Sequence, residues 1–459
     1  MKASKLLLII AAIMAILALM AMAAPAEDVH LAGITLRYPT LTSILTSQDG
    51  EKAAKIENIP VEPPEMAQLR DSIIYYKKLV SDGDKRFWMP SEHYFDAFWH
   101  NAERARQNGR TIRILHYGDS QIEMDRISSR LRSYMQTTFG GGGPGMMSVR
   151  TIIPSPAYSI SAPGALTHLA SFGDSTCVRS RGNYGPMMQC FRLGGGSLRV
   201  NVRSLSNRRV DPLTANITSV RLVFNNMGNN FKATIDSTRQ ETASGGVSSF
   251  AWTLDTAQRF KVNISGRADL YCLLADGGPG VAVDNIPMRG CSGQQFTLVD
   301  KDKLTAAYSQ MDIGMIILQF GGNSVPYLRT GKSISKYCTS LGRQIDHLHQ
   351  CCPKAAIVLV GPSDMSRRGN GGMQSYPVLP ELIDSMVATA MNHNAAYWSI
   401  FHAMGGLNSM AEWHRQGLAG ADYIHFTQRG ADMMGDRLVE AFKNSYTLYR
   451  LQRKMKNKK

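Results

Sequence analysis

The spacing of apolar and polar positions changes from one part of this chain to the next, and each change predicts a different kind of structure. From Ile112 to Tyr117 the chain reads as a short apolar, β-branched run of the kind a buried strand uses. Gly118-Asp119-Ser120 follows. Ile127, Leu131, Tyr134 and Met135 then fall on one helical face, and Gly140 to Gly143 stop that helix. The pattern predicts a strand, a turn carrying a serine, and a helix. A serine so placed can stand its hydroxyl clear of the sheet, near helix amides with partial positive charge.

Upstream, Met66–Val80 and Ser91–Gln107 have helical spacing, with Tyr94, Phe95, Phe98 and Trp99 on one face as core packing. With the patternless stretch before them they form a leader and small helical cap over 27–110. Residues 111–159 hold the serine and its helix. From 160 to 279 the period changes to two: 198–203, 250–254 and 260–264 alternate cleanly, and 220–224, 231–235 and 270–274 are further short runs. That is the pattern of a β-sandwich inserted into a larger domain. Trp252 and Tyr271 sit near its strand centres, where core packing is favoured over stacking on a sugar.

Strand and helix alternate again over 280–447. Strands are expected at 281–286, 313–320, 356–360 and 397–401, and helices at 337–350, 379–394 and 428–446, giving a parallel sheet covered by helices on both faces. Ser120, Gly290 and Asn323 each follow a predicted strand, so they can converge where such sheets bind ligands.

Lys2 and Lys5 precede an apolar run from Leu6 to Met22, and both Ala21-Met22-Ala23 and Ala24-Pro25-Ala26 suit a signal peptidase. Residues 1–26 are therefore read as a secretory signal, long enough that an uncleaved membrane anchor is the alternative. An exported protein of formal net charge +15 favours an anionic partner in the envelope and argues against nucleic acid. Residues 448–459 form a basic tail, read as a frayed and solvated end. The seven cysteines lack zinc-site spacing. Cys177 with Cys190, and Cys338 with Cys351 or Cys352, are candidate bridges; seven reduced core thiols is the equal alternative. No metal or cofactor is expected, and the oligomeric state is open.

Asp422 and His425 stand three apart, just before the last helix. In a helical turn that spacing puts both side chains on one face, where the carboxylate can hold the imidazole toward a serine. Serine acyl transfer needs such a pair together with donors for an oxyanion. These residues resemble the blocks of the SGNH, or GDSL-like, hydrolase family: Gly118-Asp119-Ser120 with Gln121 where leucine is usual, Gly290, Gly321-Gly322-Asn323, and Asp422-x-x-His425. The glycine run Phe139 to Gly145 and the β-rich insertion are similar to peptidoglycan O-acetylesterases. The resemblance implies a flavodoxin-like, SGNH-type α/β sheet. It implies Ser120 as nucleophile, His425 as base, Asp422 as its orienter, and the Ser120 amide, the Gly290 amide and the Asn323 side chain as oxyanion hole. It also implies a periplasmic or envelope-bound acetylesterase or O-acetyltransferase acting on an acetylated glycan. A lipase or lysophospholipase, or a non-catalytic glycan-binding protein with a carbohydrate-binding-like insertion, are the rivals.

Overall fold

The computed structural model describes residues 63–458, apart from 83–85, 174–175, 181, 207–209 and 256, together with residues 12, 15–16, 19, 22, 29–31 and 34–36. The chain divides into two compact units, 1–67 and 68–459. In the first, Val29–Leu31 and Ile34–Leu36 pair as a short antiparallel hairpin. The expected secretory signal over 1–26 and the expected leader after it lie, those positions aside, outside the described residues. Among the described residues no helix is long and apolar enough to cross a membrane.

The second unit is organised on a six-stranded sheet. Its strands are β1 (Phe87–Trp88), β2 (Thr111–Gly118), β3 (Gly280–Pro287), β4 (Asp312–Gln319), β5 (Ala356–Gly361) and β6 (Ala396–Ser399), in the order β3-β2-β4-β5-β6-β1. All neighbours are parallel except β1, which pairs antiparallel with β6. The two-residue edge strand is too short to show a period, so the sequence pattern does not announce it. Along β2, Ile112 and Ile114 face one core cluster while Leu115 and Tyr117 face the other. Burial on both faces explains why these strands read as continuous apolar runs.

Helices α1 (Asp96–Ala105), α2 (Ser128–Phe139) and α5 (Gln428–Lys458) cover one face; α3 (Gly331–Cys351) and α4 (Leu379–Asn392) cover the other. Two expectations are corrected. The helix at 91–107 is α1, and it is not a cap: Phe98 and Trp99 are buried against the sheet and α5. The basic tail is not frayed either. No glycine or proline follows Gly435, Leu448 and Tyr449 stay buried, and Arg453 pairs with Glu103 at 2.5 Å, so α5 continues to Lys458.

All seven cysteines are free thiols. Cys338 and Cys351 both lie on α3, thirteen positions apart, which at 1.5 Å per residue is about 20 Å and beyond any bridge. The Cys190 thiol is buried beside the Asn183 carbonyl at 3.5 Å, while Cys177 lies against His168.

Between β2 and β3 the chain forms a nine-stranded, antiparallel β-rich region. Three of the short runs seen in the sequence, 198–203, 260–264 and 270–274, belong to two long strands, Gln189–Ser204 and Arg259–Asp276, each of which serves several partners; the other three are strands of their own. A register shift between Ser265 and Arg267, with Gly266 at φ +117°, bends the second. Phe224, Phe231, Phe250 and Trp252 pack against one another with ring centroids 4.3 to 6.1 Å apart inside this region's own core. Trp252 and Tyr271 are both buried, as core packing requires.

Arg113 joins the two regions. From the middle of β2 its guanidinium donates to Asp284 of β3 at 2.6 and 2.9 Å and to Asp276 of the β-rich region at 2.7 Å. Burial opposes its charge, but the two carboxylates outweigh burial and raise its pKa above the ordinary arginine value. Asp284 also accepts the Met146 N–H at 2.7 Å, and a Cβ at Gly145 would sit 2.2 Å from that carboxylate.

Candidate active site

The order of the parallel strands fixes where a site can open. β2 is central, with the next strand, β3, on one side and the third, β4, on the other. The connections therefore leave in opposite directions from the carboxyl ends, where ligands bind in open α/β sheets. Gly118 lies level with Pro287 on one side and Gln319 on the other. The chain leaves all three strands together into a cleft of about 520 Å³ lined by Ser120, Gly290, Asn323, Tyr327 and His425, among others.

Ser120 opens a 3₁₀ turn, Ser120–Asp125, and α2 begins only at Ser128, so the serine is not at the α-helix N-terminus that the sequence pattern predicts. Met124, Asp125 and Ile127 have φ between +57° and +62° and take up the reversal between turn and helix. Left-handed backbone at such residues persists only where surroundings hold it. Here Asp125 pairs with buried Arg132, which also donates to the Val283 carbonyl at 2.8 Å.

The Ser120 Oγ lies 2.7 Å from His425 Nε2, across 305 positions of chain. His425 Nδ1 lies 2.7 Å from Asp422 Oδ2. The three-residue spacing works here without a helical turn. Asp422 Oδ1 accepts the N–H groups of Ile424 and His425, each at 3.0 Å, and Tyr423, next after the aspartate, takes φ +55°. This Asp-headed turn aims the carboxylate at its own histidine. Burial works against the Asp422 carboxylate, but hydrogen bonds from the His425 imidazole and from the two amides prevail and lower its pKa.

Gly290 lines the cleft at φ +76°, in a turn held by the Met288 N–H on the Gly118 carbonyl at 2.7 Å. Nearby Gly293 is a packing glycine: a Cβ there would sit 2.9 Å from the Phe320 ring. Asn323 faces the cleft with its Nδ2 donating to the Cys291 carbonyl at 3.0 Å and to Asp119 Oδ2 at 3.2 Å. Asp119 Oδ1 accepts the Gln121 N–H at 3.0 Å. Burial pushes the Asp119 carboxyl up to about 6, aided by Glu123 and opposed by the Gln121 amide, His425 and Arg126. His116, in contrast, is structural: its ring lies between Ser128 Oγ at 2.9 Å and Gln319 Oε1 at 3.1 Å, and burial lowers its pKa to about 4.

Of the five residues singled out in the sequence, Ser120, Gly290, Asn323 and His425 thus line one cleft, and Asp422 stands behind His425. Four other residues of the cleft were not singled out. Gln121 and Arg126 reach the histidine's turn. Arg289 at the mouth holds Glu123 through two hydrogen bonds of 2.5 and 2.6 Å. Tyr327 is 79% exposed on the lip. Only Gln121 carried a signal, as a polar residue where its motif favours an apolar one. Among the described residues no group of three or more His, Cys, Asp or Glu side chains stands ready for a metal ion.

No protein-family model matches the chain, and no curated protein matches it. Solved structures do. A peptidoglycan O-acetylesterase superposes with a TM-score of 0.66 at 19% identity, over 79% of this chain and 99% of its own. A family two carbohydrate esterase from Cellvibrio japonicus gives 0.26 at 11% identity, over 63% and 99%. An acetyl xylan esterase gives 0.28 at 15% identity, over 35% and 81%. The last two scores are too low to carry an argument. The first shows that this chain shares that structure's fold, an α/β sheet with an added β-rich region.

Proposed function

We propose that the protein is an exported serine esterase that removes, or transfers, O-acetyl groups on a cell-envelope glycan such as peptidoglycan. The observation that carries this reading is the hydrogen-bonded line from Ser120 Oγ through His425 to Asp422, with 2.7 Å at each step. A hydroxyl, an imidazole and a carboxylate in that order are what acyl transfer by serine requires. The fold shared with a peptidoglycan O-acetylesterase supports the substrate class. So does the net charge of +15, which suits an anionic polymer. Tyr327 offers a ring against which a sugar can lie.

In this reading Ser120 Oγ attacks the acetyl carbonyl carbon while its proton passes to His425 Nε2. Asp422 holds the Nδ1–H and stabilises the imidazolium. The negative oxygen that forms is met by the Ser120 and Gly290 amides and by Asn323, which turns one N–H from Asp119 to the oxyanion and keeps the other on Cys291. His425 then protonates the departing sugar hydroxyl, leaving acetyl-Ser120. Water, deprotonated by His425, attacks that ester, and acetate leaves with the serine restored; a sugar hydroxyl in place of water gives transfer instead.

The test is Ser120→Ala assayed on p-nitrophenyl acetate and on O-acetylated cell-wall glycan. The expected kcat loss is about 10⁶-fold, with the melting temperature nearly unchanged. Retained turnover removes Ser120 from the mechanism. Faster turnover of octanoate than acetate esters in the unmodified protein moves the assignment to a lipase.

A further inference from the structure

His425 and Asp422 sit on a turn whose working side chains are 39% and 49% exposed, so packing alone does not hold them in line with Ser120. Among the described residues, the hydrogen bonds that cross from the serine's segment to this turn, other than the Ser120–His425 bond itself, come from two side chains. The Gln121 Nε2 donates to the Ile424 carbonyl at 2.7 Å, and its Oε1 accepts the Phe426 N–H at 3.3 Å. One amide thus pairs with the peptide groups on either side of His425. The Arg126 guanidinium donates to the Ser120 carbonyl at 2.6 Å and to the Phe426 carbonyl at 3.1 Å, while its Nε donates to the Glu123 carbonyl at 3.0 Å. The left-handed residues on both sides of Arg126 are what turn it back over the serine.

We infer that Gln121 and Arg126 are positioning residues, a clamp that keeps the imidazole of His425 in register with the Ser120 hydroxyl. Neither is assigned a contact with the reacting atoms. Both act on backbone: Gln121 on the residues flanking the histidine, Arg126 on the serine's own carbonyl and on the residue after the histidine. A buried amide and a half-buried guanidinium donating to backbone carbonyls are well suited to this, because any displacement of the turn leaves polar groups without partners. An apolar side chain at 121 packs in the same space but fixes no register. The clamp rests on the esterase proposal for its consequence in turnover, not for its geometry.

The experiment uses the full chain carrying Gln121→Met, which keeps side-chain length and removes both bonds, and separately Arg126→Met. Two quantities are read. The first is kcat and KM on p-nitrophenyl acetate. A small misplacement of the base is expected to lower kcat about ten- to a hundred-fold while KM stays within about twofold. The second is the imidazole Nδ1 proton shared by His425 and Asp422, followed by proton NMR. It is expected to broaden or vanish in both variants, since each removes part of what holds the turn in register. A merely structural role moves the melting temperature and leaves folded enzyme with normal kcat. Folded variants with unchanged kcat and an undisturbed imidazole proton overturn the clamp. If Gln121→Met does not fold, Arg126→Met, at a half-buried side chain, is judged by the same two readouts. A wild-type protein with no ester hydrolysis sinks the esterase reading instead, and the clamp is then decided by the proton signal alone.

Discussion

The parallel sheet and the β-rich region are both well packed, yet they treat their polar and aromatic residues in opposite ways. In the β-rich region the buried Asp269 is paired within the region, holding Arg192 at 2.6 Å and Asn183, and the Phe224, Phe231, Phe250 and Trp252 rings turn inward. Among the described residues none of its aromatic rings is strongly exposed. At the carboxyl ends of β2, β3 and β4 the buried polar groups instead converge on an open cleft, where Asp119, Ser120, Gln121 and Asn323 all arrive. Antiparallel strands joined edge to edge close upon their own core. Parallel strands whose connections leave in opposite directions must part, and the gap is where chemistry can be housed. Trp252 and Tyr271 are core, as their strand-centre positions favoured, so neither is a platform for a sugar.

The largest test of that contrast is at the join. Arg113→Met leaves Asp276 and Asp284 buried without their cation, and about 4 kcal/mol of stability should be lost in urea denaturation. A loss below about 1 kcal/mol indicates that the regions hold together without this arginine. Next is Trp252→Ala, which opens a hole in the β-rich core and should cost about 3 kcal/mol, with kcat and KM on acetyl esters unchanged. A fall in turnover by the folded variant breaks the division of labour described above.

The smallest effect is at Asp119, and its sign is fixed by the direction of its shift. The folded-state pKa, about 6, lies above the ordinary value of 3.8, so the folded protein keeps this proton longer than the unfolded chain does. The group therefore stabilises the fold most below about pH 4, and that contribution is lost as pH rises toward 6. Asp119→Asn removes the dependence. The stability difference between wild type and variant should change by roughly 2 to 3 kcal/mol between pH 4 and pH 7. A difference that stays flat across that range shows the carboxyl to be unshifted.

Much of the fold was legible because both of its periods are strong. The runs at 112–117 and 313–320 read as buried strands, and the glycines at 140–143 marked a helix end. The site residues were legible for another reason: Ser120, Gly290 and Asn323 come after strands, and Asp422 heads a turn three residues before His425, positions that local sequence encodes. What escaped depends on partners far along the chain. Nothing near Gln121 says that its amide meets residues 424 and 426, and nothing near Arg126 predicts left-handed backbone at non-glycine neighbours. The long strands at 189–204 and 259–276 were read as fragments because Gly194 to Gly196 and Gly266 interrupt their alternation. The closing helix was cut short because its last residues are basic, although Leu448 and Tyr449 keep an apolar side turned to the core.

The distance along the chain between the serine and its imidazole partner has a consequence for biosynthesis. A polypeptide made amino end first carries its hydroxyl alone for some three hundred residues, and the group that touches it arrives just ahead of the closing helix. A product that ends before His425 lacks the imidazole that meets Ser120. On the proposed reading such a chain would be inert toward esters until synthesis passes residue 425.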